Sequence, residues 1–78
     1  MSSVKIYTTN TCTYCKMAKD FFQQNNVPYE EFYVVTDVKA RQEMVEKSGQ
    51  LGVPVIDVDG TIVVGYDRER LSGLLGIK

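Results

Sequence analysis

Alternation of apolar and polar side chains opens the chain, then gives way to a helical spacing. From Ser3 to Thr8, Val4 and Ile6 alternate with Lys5 and Tyr7, the period of a strand. Thr9-Asn10-Thr11 is a polar loop. From Thr13 to about Asn25 the period changes: Tyr14, Ala18, Phe21 and Phe22 form an apolar stripe, with Lys16, Lys19, Asp20 and Gln23 left to water. Asn25-Asn26 ends that helix and Pro28 keeps it from resuming. Tyr29 to Val35 is aromatic and β-branched and reads as a second strand.

Thr36 or Asp37 can cap a second helix over Val38 to Lys47, with Val38, Met44 and Val45 as its core contacts and Gly49 as its C-cap. Pro54 to Val58 and Thr61 to Gly65 are short β-branched runs on either side of Asp59-Gly60, a pair suited to a type I′ hairpin turn. Asp67 then caps a last helix to about Leu75, with Leu71, Leu74 and Leu75 inward and Gly76 at its end. The order is β-α-β-α-β-β-α. It predicts an α/β fold: a right-handed parallel β-α-β crossover, a hairpin added antiparallel to the same sheet, and helices on both faces.

Length and charge narrow the task. Seventy-eight residues make one domain over 1–78, with no room for a separate substrate domain. Nine Lys and Arg against ten Asp and Glu give a net charge of −1, which argues against nucleic acid as a partner. His is absent, so imidazole relays and His metal sites are excluded. The first ten residues lack the apolar stretch of a secretory signal. The longest apolar run, Phe32 to Val35, is far short of the ~20 residues that span a bilayer. The expectation is a cytoplasmic monomer with no membrane partner.

Chemistry then falls to Cys12-Thr13-Tyr14-Cys15, which opens the first helix just after the first strand. Free N–H groups and the positive end of the helix dipole meet there and stabilise a thiolate on Cys12, with Lys16 and Lys19 nearby. Cys15, one turn on and deeper in the helix, suits the resolving role. A Cys-x-x-Cys on a β-α-β unit is a redox signal. Structural zinc needs four ligands where two are available. A disulfide closing so small a loop stabilises little. The rival from another class is a carrier of a soft metal or an iron–sulfur cluster on the Cys pair. Copper carriers resemble Met-x-Cys-x-x-Cys, and Asn10 stands at that Met position. Val53-Pro54 by itself reads as the opening of a strand, and Gly65-Tyr66-Asp67 as a turn with an N-cap.

Taken together, Lys5 to Cys15, Val53-Pro54-Val55-Ile56 and Gly65-Tyr66-Asp67 resemble the glutaredoxin family, in order and spacing over essentially the whole chain. The resemblance implies a thioredoxin fold with a four-stranded mixed sheet between helices and a cis Pro54 beside the cysteines. It implies a thiol–disulfide oxidoreductase that acts in redox homeostasis or as an electron donor. Cys12 and Cys15 would be catalytic. Tyr14, Val53, Pro54, Gly65, Tyr66 and Asp67 would bind the substrate or glutathione, with the Val53 backbone pairing with the substrate's cysteine. No bound cofactor is implied. Electrons would come from glutathione or a thioredoxin-reductase-type flavoprotein and pass to disulfide-containing proteins. Three positions depart from the family pattern: Thr13 replaces a Pro, Thr9 replaces a Lys that many members use on a glutathione carboxylate, and Arg68 replaces an acidic residue.

Overall fold

The computed structural model describes residues 3–50 and 52–77. In chain order these form β1 (Val4–Thr8), α1 (Thr13–Gln24), β2 (Glu30–Tyr33), α2 (Val38–Ser48), β3 (Val55–Val58), β4 (Thr61–Val64) and α3 (Arg68–Leu75). The four strands make one sheet in the order β2-β1-β3-β4. β1 pairs parallel with β2 and antiparallel with β3, and β4 pairs antiparallel with β3.

Strand alternation divides the core between the two faces. Val4 and Ile6 of β1, Ile56 and Val58 of β3 and Val63 of β4 point to one face, where Ala18, Phe21 and Phe22 of α1 and Leu71 of α3 pack on them. Tyr7 and Val55 point to the other, against Ala40 and Met44 of α2, with Val34 beside them. The expected mixed sheet between helices is therefore what forms, and its two central strands are the buried ones.

Several boundaries and faces differ from the sequence reading. The buried stripe of α1 starts at Cys15, and Tyr14 is 61% exposed. The wheel explains this, because Cys15, Ala18 and Phe22 lie on one face at i, i+3 and i+7. β2 ends at Tyr33; Val34 is buried and still donates to the Thr8 carbonyl at 3.1 Å, while Val35 points outward. In α2 the contacts are Ala40 and Met44; Val45 is half-buried and Val38 exposed. Small Ala40 lets the helix come close to Tyr7 and Val55, and that rotation turns Val38 outward. Leu74 is also exposed, leaving Leu71 and Leu75 to hold α3.

Asp37 and Asp67 cap α2 and α3, accepting from the N–H groups of Ala40 and Arg70. Asp59 and Gly60 have φ of 51° and 92°, the left-handed pair of a type I′ turn. Gly60→Ala has free space for its methyl group, so its cost is conformational. A loss of about 1 kcal/mol is expected, read as a lower midpoint in urea at unchanged slope.

A polar network crosses the α2 face. Lys47 Nζ lies 2.8 Å from Asp57 Oδ2 and 3.1 Å from the Tyr7 hydroxyl, and Tyr7 donates to Glu43 at 2.8 Å. Asp57, buried in β3, also accepts from Gly60 N–H at 2.7 Å. Burial pushes the Asp57 carboxyl up, but the Lys47 ammonium and the Gly60 N–H outweigh it and hold the group below the usual carboxylate range. The Asp57 hydrogen bond raises Lys47 well above its ordinary value, against the opposing effect of burial.

Candidate active site

β1 ends on Thr8, and four residues later Cys12 becomes the N-cap of α1. Its backbone is extended, φ −91° and ψ 112°, so its side chain turns back over the first helical turn. There the sulfur accepts the Cys15 N–H at 3.2 Å. A thiol thus does the capping that Ser or Asp usually does. The first turn of α1 carries no acidic residue to compete for the positive end of the dipole. Both cysteines are free, Cys12 half-buried and Cys15 fully buried.

Burial pushes the Cys15 thiol up, and the adjacent Cys12 sulfur acts in the same direction. The Thr8 hydroxyl and the Thr9 backbone work against both. Thr8 was not singled out by motif reasoning. The signal that points to it is its place in the alternation: it shares the inward face of Val4 and Ile6, yet is polar and fully buried.

The second wall comes from the start of β3. β1 and β3 are antiparallel neighbours with Tyr7 opposite Val55, so the segment before β3 arrives beside the loop after β1. Val53–Pro54 is cis, and the Val53 carbonyl lies 3.8 Å from Cys12 Sγ. Pro54 is buried, and its carbonyl accepts the Gly65 N–H at 2.8 Å, where Gly65 has φ of +80°. Cys12, Cys15, Val53, Pro54 and Gly65 are thereby tied together by direct contacts or single residues. Tyr14 stands exposed on the first turn of α1.

The other residues named from the sequence have contacts of their own. Tyr66 packs edge-on against Phe21 at 6.3 Å between ring centroids. Asp67 is occupied in capping α3. Lys19 turns toward β2, 3.7 Å from Glu31 and 5.8 Å from the centre of the Tyr33 ring. Arg68 lies along the flank of α1, lining a hollow with Met17, Asp20 and Phe21.

A cavity of about 480 Å³ opens beside the cysteine loop, lined by Thr9, Asn10, Thr11, Tyr33, Val35 and Thr36. The second half of that wall was not read from sequence. It follows from topology: parallel β1 and β2 end side by side, so the loop after β2 faces the loop that carries Cys12.

Comparison with known proteins agrees with this arrangement. The Glutaredoxin family profile matches residues 4–63. The chain belongs to the glutaredoxin family. It is 40% identical to a glutaredoxin-like 8.6 kDa protein in the rubredoxin operon of Clostridium pasteurianum, over 92% of this chain and 96% of that one. Glutaredoxin 3 of Escherichia coli is 36% identical, over 86% of this chain and 81% of its own. The crystal structure of the thioredoxin-like protein BC3987, solved as a mutant, superposes with a TM-score of 0.92 at 35% identity, covering all of both chains. The family and its thioredoxin fold support a thiol–disulfide oxidoreductase. Among the described residues, no helix of this glutaredoxin is long and apolar enough to cross a membrane.

Proposed function

We propose that this glutaredoxin reduces protein and mixed disulfides through Cys12 and Cys15 in two exchanges. The Cys12 thiolate attacks one sulfur of the substrate disulfide. A Cys12–substrate disulfide forms, the substrate S–S bond breaks, and the other thiolate leaves and takes a proton. Cys15 then gives up its proton and attacks Cys12 Sγ, closing the Cys12–Cys15 disulfide and releasing the second substrate thiol. Two electrons and two protons have passed from the dithiol to the substrate. The observation that carries this reading is Cys12 Sγ held on the free N–H end of α1, one turn from a buried second thiol and facing the Val53 carbonyl.

The Val53 backbone suits a short β-type pairing with the substrate's cysteine. Tyr14, Pro54 and Gly65 shape the same groove, and Tyr66 and Asp67 border it from the start of α3. No bound cofactor takes part. The oxidised pair is recycled by an external reductant, and the cavity beside Cys12 bears on which one. Glutathione presents two carboxylates, and Thr9 offers them a hydroxyl where a Lys would make a charge-assisted contact. A thioredoxin-reductase-type flavoprotein is therefore the favoured donor.

NADPH-coupled assays test this. Turnover is expected to be faster with the flavoprotein than with glutathione and glutathione reductase. Thr9→Lys, alone or with Arg68→Asp, should raise the glutathione-dependent rate by roughly tenfold, the scale of one regained charged contact. Most of the gain should come from Thr9, which lines the cavity beside the cysteine loop, while Arg68 lies against α1. Full glutathione activity in the unmodified protein, with no gain in either variant, would show that these positions do not select the donor.

A further inference from the structure

The cavity between the Cys12 loop and the loop after β2 is built for an uncharged guest. Its lining holds Thr9, Asn10 and Thr11 at one side and Tyr33, Val35 and Thr36 at the other. No carboxylate, ammonium or guanidinium is among them. The Tyr33 hydroxyl donates its proton to Glu31 at 2.7 Å, so to a guest this residue offers its ring and a hydroxyl oxygen that can only accept. Lys19, 5.8 Å from the centre of that ring, is already paired with Glu31. Just beyond Thr36 stands Asp37, a carboxylate fixed on the N-terminus of α2. An acidic guest would meet that like charge, and the Lys19 ammonium near the Tyr33 ring is already shared with Glu31.

The apolar wall faces water. Val35, beyond the end of β2, is 73% exposed, and Tyr33, the last residue of that edge strand, 39%. The position next to Cys12 sets the reach. Thr11 is joined to Cys12 by one peptide bond, and an extended chain advances only ~3.3–3.6 Å per residue. A peptide bonded through its cysteine to Cys12 Sγ has its adjacent residues within reach of this cavity.

Resting on the disulfide-reductase reading above, we propose that this cavity is a specificity subsite: it receives the apolar or aromatic side chain that flanks the reactive cysteine of a protein substrate. The shape of the substrate class follows. Cysteines flanked by Phe or Leu are preferred, and cysteines flanked by acidic residues are disfavoured.

Single-turnover reduction by prereduced protein tests this without a recycling enzyme. The substrates are tetrapeptides with Phe, Lys or Glu on either side of one cysteine, each joined to 2-mercaptoethanol, with hydroxyethyl disulfide as the small reference. Rate constants are normalised to the same protein's rate on the reference. A preference of roughly tenfold for Phe over Glu is expected, with Lys below Phe. Val35→Glu should erase the preference for Phe, and Val35→Lys should move it toward the Glu peptide. Equal rates for all peptides, Lys at or above Phe, or a Phe preference that survives both Val35 variants would overturn the subsite while leaving the reductase reading intact. Failure to reduce hydroxyethyl disulfide at all would instead remove the reductase reading and the subsite with it.

Discussion

Replacing Cys12 with Ser is expected to drop disulfide reduction to the uncatalysed rate, whereas Cys15→Ser should stop the cycle halfway. The asymmetry follows from where the two sulfurs sit. Cys12 Sγ caps α1 and reaches the open side, and Cys15 is fully buried behind it. Only the first can meet a protein disulfide, and only the second can approach Cys12 from within. Mass spectrometry after mixing with a disulfide substrate should show a stable adduct in Cys15→Ser and none in Cys12→Ser. An active Cys12→Ser protein carrying its adduct on Cys15 would exchange the two roles. Ser at position 12 remains a good N-cap, so loss of activity there cannot be attributed to loss of the helix.

The second large effect belongs to the network on the opposite face. Asp57→Ala leaves the Lys47 ammonium facing the Tyr7 ring and hydroxyl without its 2.8 Å partner, and leaves the Gly60 N–H unmet. A loss of about 2–3 kcal/mol is expected, a large share of what a small domain holds. For a chain of this length that corresponds to a midpoint lower by roughly 10–20 °C. Acid unfolding supplies a second check. Because the Asp57 carboxyl is held below its unfolded value, its contribution is complete above about pH 4 and is lost as pH falls through the folded value. Lys47 and Tyr7 are both raised, so their contributions are complete below about pH 10 and disappear as pH rises through the folded values. Asp57→Asn should flatten the acid limb. An acid limb unchanged from the parent protein would place the acid sensitivity in other carboxylates.

How far the sequence could be read depended on whether a feature was local. Asp59-Gly60, the caps at Asp37 and Asp67 and the left-handed Gly49 and Gly76 were legible, because each is a contract between a residue and its own backbone. The two cysteines and Val53-Pro54 were legible as motifs, and their 3.8 Å meeting follows from β1 and β3 being neighbours. What escaped was long-range or rotational. Lys47 closed α2 and nothing more, since its hydrogen-bond partners Asp57 and Tyr7 stand 10 and 40 residues away. Tyr14 and Val38 were assigned inward by hydrophobicity, but helix rotation was decided by Cys15 and Ala40, which are smaller and fit closer to the sheet. The cavity wall at Tyr33 and Val35 belonged to no motif, and it became visible only when two parallel strands ended together.

The hairpin tip at Asp59 and Gly60 has a practical use. β3 runs from the reactive loop to this tip, a span of about 13 Å for its four residues. The tip is exposed, and beside the N-terminal end of β1 it is held by the Ser3 N–H on Asp59 at 2.6 Å. A fluorophore, an affinity handle or a fused reporter placed there would sit at the pole of the molecule opposite Cys12. Redox state could then be followed, or the protein fixed to a surface, with the reactive end left facing the solution.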